Sequence, residues 1–283
     1  MMTPFRYTLR RMRGQTLGWG LGLALLGMLI IPFDGVFTED QAQFLAMLES
    51  YPPEFLAFFG DASDPSAITT PRGFLQYYFF SMVPVLAGIF ALGAGSGLLA
   101  KDEEHGRLDL ILAHPVSRAA FFFGRVLALV AAALAVVFIG WAGCAILLQG
   151  SAMGIGAGEL ALAFLPVFAQ IWIYAGLALL LSLLLPARRY ASMVTGVLLA
   201  VSYMTSSLGQ LNPSLEAIGR LLPYAYYQGA AAMEGLDWGS LIGLLAVGDG
   251  FALLAWWRFA RRDIRVVGEG SWRLPIRLGR RAI

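Results

Sequence analysis

The sequence predicts an all-α polytopic membrane protein, and three observations carry that expectation. Of 283 residues, 58% are hydrophobic and 13% charged, with a mean hydropathy of +0.70. A water-soluble domain would need far more polar residues to cover its core. The apolar residues gather into six runs, each about long enough to cross ~30 Å of hydrocarbon at ~1.5 Å per helical residue. The basic residues, nineteen arginines and Lys101, concentrate in alternate connections between those runs.

The first span, about 17–33, follows a basic lead-in. There Arg6, Arg10, Arg11 and Arg13 are interspersed with Phe5, Tyr7, Leu9 and Met12, as suits an interfacial helix on the cytoplasmic face. The run ends in Ile31-Pro32-Phe33-Asp34 with no small-residue cleavage site, so it is expected to remain as a span rather than leave as a secretory leader. Residues 34–73 set seven carboxylates against Arg72 alone and read as an extracytoplasmic loop. Thr38 and Gln41 have capping-box spacing. The apolar sets Phe44, Leu45, Leu48 and Phe55, Leu56, Phe58, Phe59 predict two short helices in the outer interface.

The second span, about 74–100, carries Pro84 as an expected kink and Gly88, Gly93, Gly95 and Gly97 for close helix approach. Its end, GAGSGLLAK, is no phosphate-binding loop: that motif needs Gly directly before Lys and Ser or Thr after it, whereas Lys101 sits between Ala100 and Asp102. Spans three, four and five are expected at about 121–148, 160–185 and 190–208, the last two joined by the basic turn Pro186-Ala187-Arg188-Arg189. Residues 209–238 include Asn212, Glu216, Arg220, Glu234 and Asp237, too polar for a span, and predict a re-entrant or interfacial hairpin with Tyr224, Tyr226, Tyr227 and Trp238 as its aromatic belt. The sixth span, about 238–257, leads into a basic tail, 258–283. With N- and C-termini both cytoplasmic, eighteen of the twenty basic residues fall inside and only Arg72 and Arg220 outside. The whole reads as one membrane domain.

Between spans two and three, residues 101–118, KDEEHGRLDLILAHPVSR, form a charged island. Asp102, Glu103 and Glu104 open it and Gly106 ends the acidic turn. Leu108, Ile111 and Leu112 then fall at i, i+3 and i+4, on one face of a helix of about two turns. Pro115 stops that helix at His114, and Ser117 can cap the next one. Such a helix is either a connector resting on headgroups or a docking element for a soluble partner.

Glu103, Glu104, Gly106, Leu108, Leu110, Leu112, Pro115, Val116, Ser117 and Arg118 match, residue by residue, the pattern E-E-x-G-x-L-x-L-x-L-x-x-P-V-S-R. Through them the chain resembles the permeases of ABC-2 type transporters, in the branch that includes the nitrous-oxide-reductase maturation permease; the segment LLPYAYYQGAAAMEGLDW resembles the region before the last span of that family. The resemblance implies that 101–118 is a coupling helix resting on an ATP-binding subunit, with Glu103, Glu104, Gly106, Leu108, Ile111, Leu112, Pro115 and Arg118 at the contact. Arg188 and Arg189 would make a second, smaller one. It also implies a homodimer, or a pair with a paralogous permease, above ATPase subunits that hold the ATP and Mg. No cofactor is expected on this chain.

No catalytic set is visible in the spans. His105 and His114 both lie in the island, Ser182 and Ser202 have no activating partner, and the single cysteine, Cys144, suits packing. Asp249 is the one ionisable group well inside a span. Intramembrane carboxylates mark ion or substrate routes, while the flanking Gly248 and Gly250 equally suit an interhelix hydrogen bond. The expectation is a multi-pass permease subunit of an ATP-driven exporter in a bacterial or archaeal cytoplasmic membrane, itself no enzyme, surrounded by lipid and with no nucleic-acid partner. The apolar spans favour a lipid-like, drug-like or peptide cargo. The alternative is a non-transporting anchor or sensor that recruits a cytoplasmic protein through residues 101–118.

Overall fold

The computed structural model describes residues 2–33, 45–48, 50–58, 65–106 and 117–261. Among these, every regular element is helical, and six helices are long and apolar enough to cross a membrane. In chain order the helices are α1 (Met2–Ile30), α2 (Pro53–Leu56), α3 (Pro71–Leu75), α4 (Val83–Glu104), α5 (Arg118–Leu148), α6 (Ala157–Leu184), α7 (Arg188–Gly209), α8 (Pro213–Gly219) and α9 (Trp238–Arg261). Short 3₁₀ turns lie at Pro223–Tyr226 and Gly229–Met233.

The basic lead-in is not a separate interfacial helix. It is the first half of α1, because Pro4, Thr8, Met12, Thr16, Gly20, Leu23 and Gly27 repeat every three or four residues and form one buried stripe along the whole helix. That stripe packs on α5. Gly20 faces Ile139, Ala24 faces Gly143 and Gly27 faces Cys144, so the two helices run parallel. At Gly143 even a methyl group would overlap Ala24, which makes this a small-residue contact of the kind apolar spans use. Cys144 is buried in it and unpaired.

The second apolar run breaks before its proline rather than at it. α3 passes into a π-helical turn, Gln76–Phe80, where the Ser81 N–H reaches the Gln76 carbonyl at 2.9 Å. Pro84 then occupies the first turn of α4, where a missing N–H costs no hydrogen bond. Gly95 sits directly on the Ala175 carbonyl and sets the close approach of α4 to α6. α6 is the central helix, packed on α4, α5, α7 and α9.

Residues between α7 and α9 are tied to the bundle at several depths. Ser202 Oγ accepts the Tyr224 N–H at 2.9 Å, Gln170 Nε2 donates to the Pro223 carbonyl at 2.9 Å, and Gln76 Oε1 accepts the Ala230 N–H at 2.7 Å. The described part of the 34–73 loop makes a small core of its own, Leu48, Leu56 and Ile68 against Tyr77 and Tyr78. The stretches 34–44 and 59–64, with Thr38, Gln41, Phe44 and Phe59, lie outside the described residues.

Candidate functional site

The start of α1, the end of α4, the start of α5 and the start of α7 converge at one end of the bundle. Asp102, in the last turn of α4, sits at their centre with its side chain 1% exposed. Arg11 of α1 and Arg125 of α5 each place a guanidinium nitrogen 2.5 Å from one of its carboxylate oxygens. Arg125 is itself buried; its Nη1 donates to the Leu98 carbonyl at 2.6 Å and its guanidinium lies 4.3 Å from the centre of the Phe121 ring. A charge this far from water is tolerated only when paired and hydrogen-bonded, and here one carboxylate serves two cations from two other helices.

Two residues further on, Glu104 turns outward. Its Oε1 accepts the backbone N–H of Arg188 at 3.1 Å. Ala187, the residue before α7, has no side chain that could cap the helix, so Glu104 satisfies an orphan N–H of the first turn from another helix and faces the positive end of its dipole. His105 caps the C-terminus of α4, and Gly106 comes next with φ +64°, a left-handed conformation that stops the helix.

The island's far side returns at Ser117, which caps α5 by accepting the Ala120 N–H at 3.1 Å, as its position predicts. Arg118 Nη1 reaches the Ala260 carbonyl near the end of α9 at 3.5 Å, bringing that helix's last turn to the same end. Glu103 is half-buried beside Asp102. Leu108, Ile111, Leu112 and Pro115 lie outside the described residues. Arg188 extends over Gly97 of α4, while Arg189 stacks on Tyr190 at 4.9 Å from the ring centre. Glu103, Glu104, Gly106, Arg118, Arg188 and Arg189 are thus gathered at one end; Asp249 is not. It lies on α9, where its Oδ1 accepts the Trp172 Nε1–H of α6 at 3.0 Å, next to the point where Gly248 meets the same indole.

Arg72 and Arg220 mark the opposite end of the bundle. Arg72 bridges Glu159 and Glu234, each at 3.3 Å, and Arg220 pairs with Glu216. A cavity of about 740 Å³ opens there, lined by Gln76, Ser206, Glu216, Arg220, Tyr224 and Tyr227 among others. Burial holds the phenols of Tyr224 and Tyr227 above their usual range, so both remain neutral. This volume lies within the ~300–1,000 Å³ of small-molecule sites. No group of His, Cys, Asp and Glu among the described residues converges to hold a metal.

The Arg11, Asp102 and Arg125 cluster is the part of the site that sequence reading missed. A signal was present: Arg125 stands inside the apolar run of α5, and a buried arginine requires a carboxylate.

Residues 1–260 match a protein family described as the C-terminal domain of the multidrug efflux system permease Rv1217c. The chain belongs to that family. No individually curated protein matches this permease domain. Its six apolar helices and its membership of a permease family together make it a multi-pass membrane protein.

Proposed function

We propose that this permease domain is the membrane subunit of an ATP-driven exporter of the ABC-2 type, coupled through residues 101–118 to a separate ATP-binding subunit. The observation that supports this most directly is the bond from Glu104 to the Arg188 backbone. It fastens the root of the island to the start of α7, so a push on either contact reaches both α4 and α7. The Asp102 cluster extends the connection to α1 and α5. Two copies, facing each other, would enclose the path, and ATP with Mg would be held by the partner subunits. The cavity near Tyr224 and Tyr227 suits a drug-sized amphipathic cargo at the outer end, since aromatic faces and neutral hydroxyls line it together.

The test is co-purification of the tagged full chain with ATP-binding-cassette subunits from its host, then efflux of a fluorescent amphipathic dye from vesicles carrying the complex. ATP-dependent dye movement that needs both proteins is the expected result. ATP hydrolysis by the chain alone would overturn the assignment of the ATPase to a separate subunit, and stable isolation with no such partner and no transport would replace the exporter with the anchor reading.

A further inference from the structure

A second, smaller cavity lies beside the Asp102 cluster. It is a groove of about 100 Å³ between α1 and α7, with Thr8, Arg11 and Gln15 on one wall and Arg188 on the other. Gly93 and Gly97, one turn apart on α4, form its floor, and Lys101 and Arg125 close its end. A Cβ added at Gly97 would meet the Arg188 guanidinium in ordinary van der Waals contact, 3.5 Å from its Cζ, so only a longer side chain there would fill the groove.

Four cations therefore surround a space too small for a drug-sized molecule. The carboxylate of Asp102 is already shared by Arg11 and Arg125. Among the described residues neither the Lys101 ammonium nor the Arg188 guanidinium forms an ion pair, and with only Asp102 and, on the Arg188 backbone, Glu104 nearby, cations outnumber carboxylates around the pocket. Two buried donors complete it: Thr8, 5% exposed, and Arg125, 2% exposed, line the groove, and Thr8 Oγ1 and Arg125 Nε are both buried without a hydrogen-bond partner. Buried polar atoms are rarely left unsatisfied, so a donor set of this kind points to an acceptor that enters from outside. The groove opens at the level where the apolar part of α1 gives way to Arg13, Arg11, Arg10 and Arg6, the depth of lipid headgroups.

We infer that this groove binds a phosphate group, and that its source is the headgroup of an anionic phospholipid. The requirement is three or four oxygen acceptors and negative charge in a small volume, which a phosphodiester meets. Its acyl chains would run along the exposed apolar faces of α1 and α7, where Leu17, Leu21, Leu25, Val194, Val197 and Val201 are uncovered. A drug-sized cargo does not fit, and a protein carboxylate carries too few acceptors to satisfy both walls. Such binding is independent of the direction of transport.

The experiment uses the full chain in nanodiscs of phosphatidylcholine alone and of phosphatidylcholine with phosphatidylglycerol, read by native mass spectrometry and by the temperature of unfolding. The expected result is preferential retention of one phosphatidylglycerol per chain, with a higher unfolding temperature. Arg188→Gln and Lys101→Gln, neither of which is in the Asp102 cluster, should each weaken retention about fivefold, as expected for loss of one cation near an anionic headgroup. Gly97→Leu, which fills the groove, should abolish it. Thr8→Val keeps the shape and removes the hydroxyl, and should lower retention with unfolding in phosphatidylcholine unchanged. Inorganic phosphate added to lipid-stripped chain separates the sources: stabilisation by phosphate without preference for phosphatidylglycerol assigns the site to a free anion and overturns the lipid assignment. Equal retention of both lipids with no effect of phosphate, or unchanged retention in Gly97→Leu, overturns the site altogether. Variants that lose an ATP-binding subunit while holding phosphatidylglycerol as tightly as wild type would show a protein-docking surface instead, with the same consequence.

Discussion

Glu104 Oε1 accepts the backbone N–H of Arg188 at 3.1 Å, across eighty-four positions of sequence. The bond joins the two regions in which the resemblance places contacts with an ATP-binding subunit. It also gives Glu104 a role that does not depend on a partner: it caps α7, a helix whose own preceding residue, Ala187, cannot.

Substitutions at Glu104 therefore separate cap from charge. Glu104→Gln keeps an acceptor of the same length and removes the charge, whereas Glu104→Ala removes both. Loss of a helix cap costs about 1 kcal/mol. Glu104→Ala is expected to lower stability by about that amount and to weaken transport, with Glu104→Gln close to wild type at moderate salt. Chemical unfolding in detergent and dye efflux are the readouts. Equal loss in both variants, relieved by changing ionic strength, would place the effect on an intermolecular ion pair instead.

Asp102 is expected to be far less tolerant. Replacing it with Ala strands Arg125 in the interior without its counter-charge; breaking a buried pair in this way costs about 3–5 kcal/mol. The double variant Asp102→Leu with Arg125→Met removes the stranded charge and should recover much of that loss. Folded yield and unfolding midpoint check both. If Asp102→Ala unfolds as wild type does, the cluster does not hold α1, α4 and α5 together.

The six long helices were legible because each needs only a sustained apolar run, and Ser117 was legible because its cap depends on its own position. The joining of lead-in and first span into α1 was hidden in mixed composition: basic residues occupy the exposed positions while the stripe from Pro4 to Gly27 is set by what α5 presents. The π-helical turn before Pro84 is likewise decided by tertiary packing, since Gln76 spends its side-chain carbonyl on the distant Ala230 N–H. Asp102 read as one of three equivalent acids at the head of the island. Only the arrangement of helix ends distinguishes it, burying Asp102 and turning Glu104 toward α7.

Gly106 gives a sharper test of the chain's exit from α4. At φ +64° a residue with a Cβ is strained by roughly 1–2 kcal/mol, and a branched Cβ by more. Gly106→Ala should thus be mildly destabilising and Gly106→Val clearly worse, while Gly106→Asn, which tolerates this conformation, falls between glycine and alanine. Hydrogen exchange over residues 101–106 reports the local effect, and retention of the ATP-binding subunit the functional one. Wild-type behaviour of Gly106→Val in both would mean that the island does not need a left-handed turn at this position.

Asp249 lies at the contact between α6 and α9, and its bond with Trp172 allows geometry and charge to be tested apart. Asparagine in its place still offers Oδ1 to the indole N–H, so Asp249→Asn is expected to insert, assemble and unfold like wild type. Leucine offers no acceptor. It leaves the Trp172 N–H unpaired between two helices, a loss of about 1 kcal/mol by the measured strength of interhelical hydrogen bonds in membranes. Trp172→Phe removes the donor from the other side and should cost a similar amount, and because the two groups serve each other, combining it with Asp249→Leu should add little further loss. Transport then decides the role of the charge. Reduced dye efflux in Asp249→Asn with unchanged unfolding assigns the carboxylate to the path itself. Efflux that tracks stability across all four variants assigns it to holding α9 on α6.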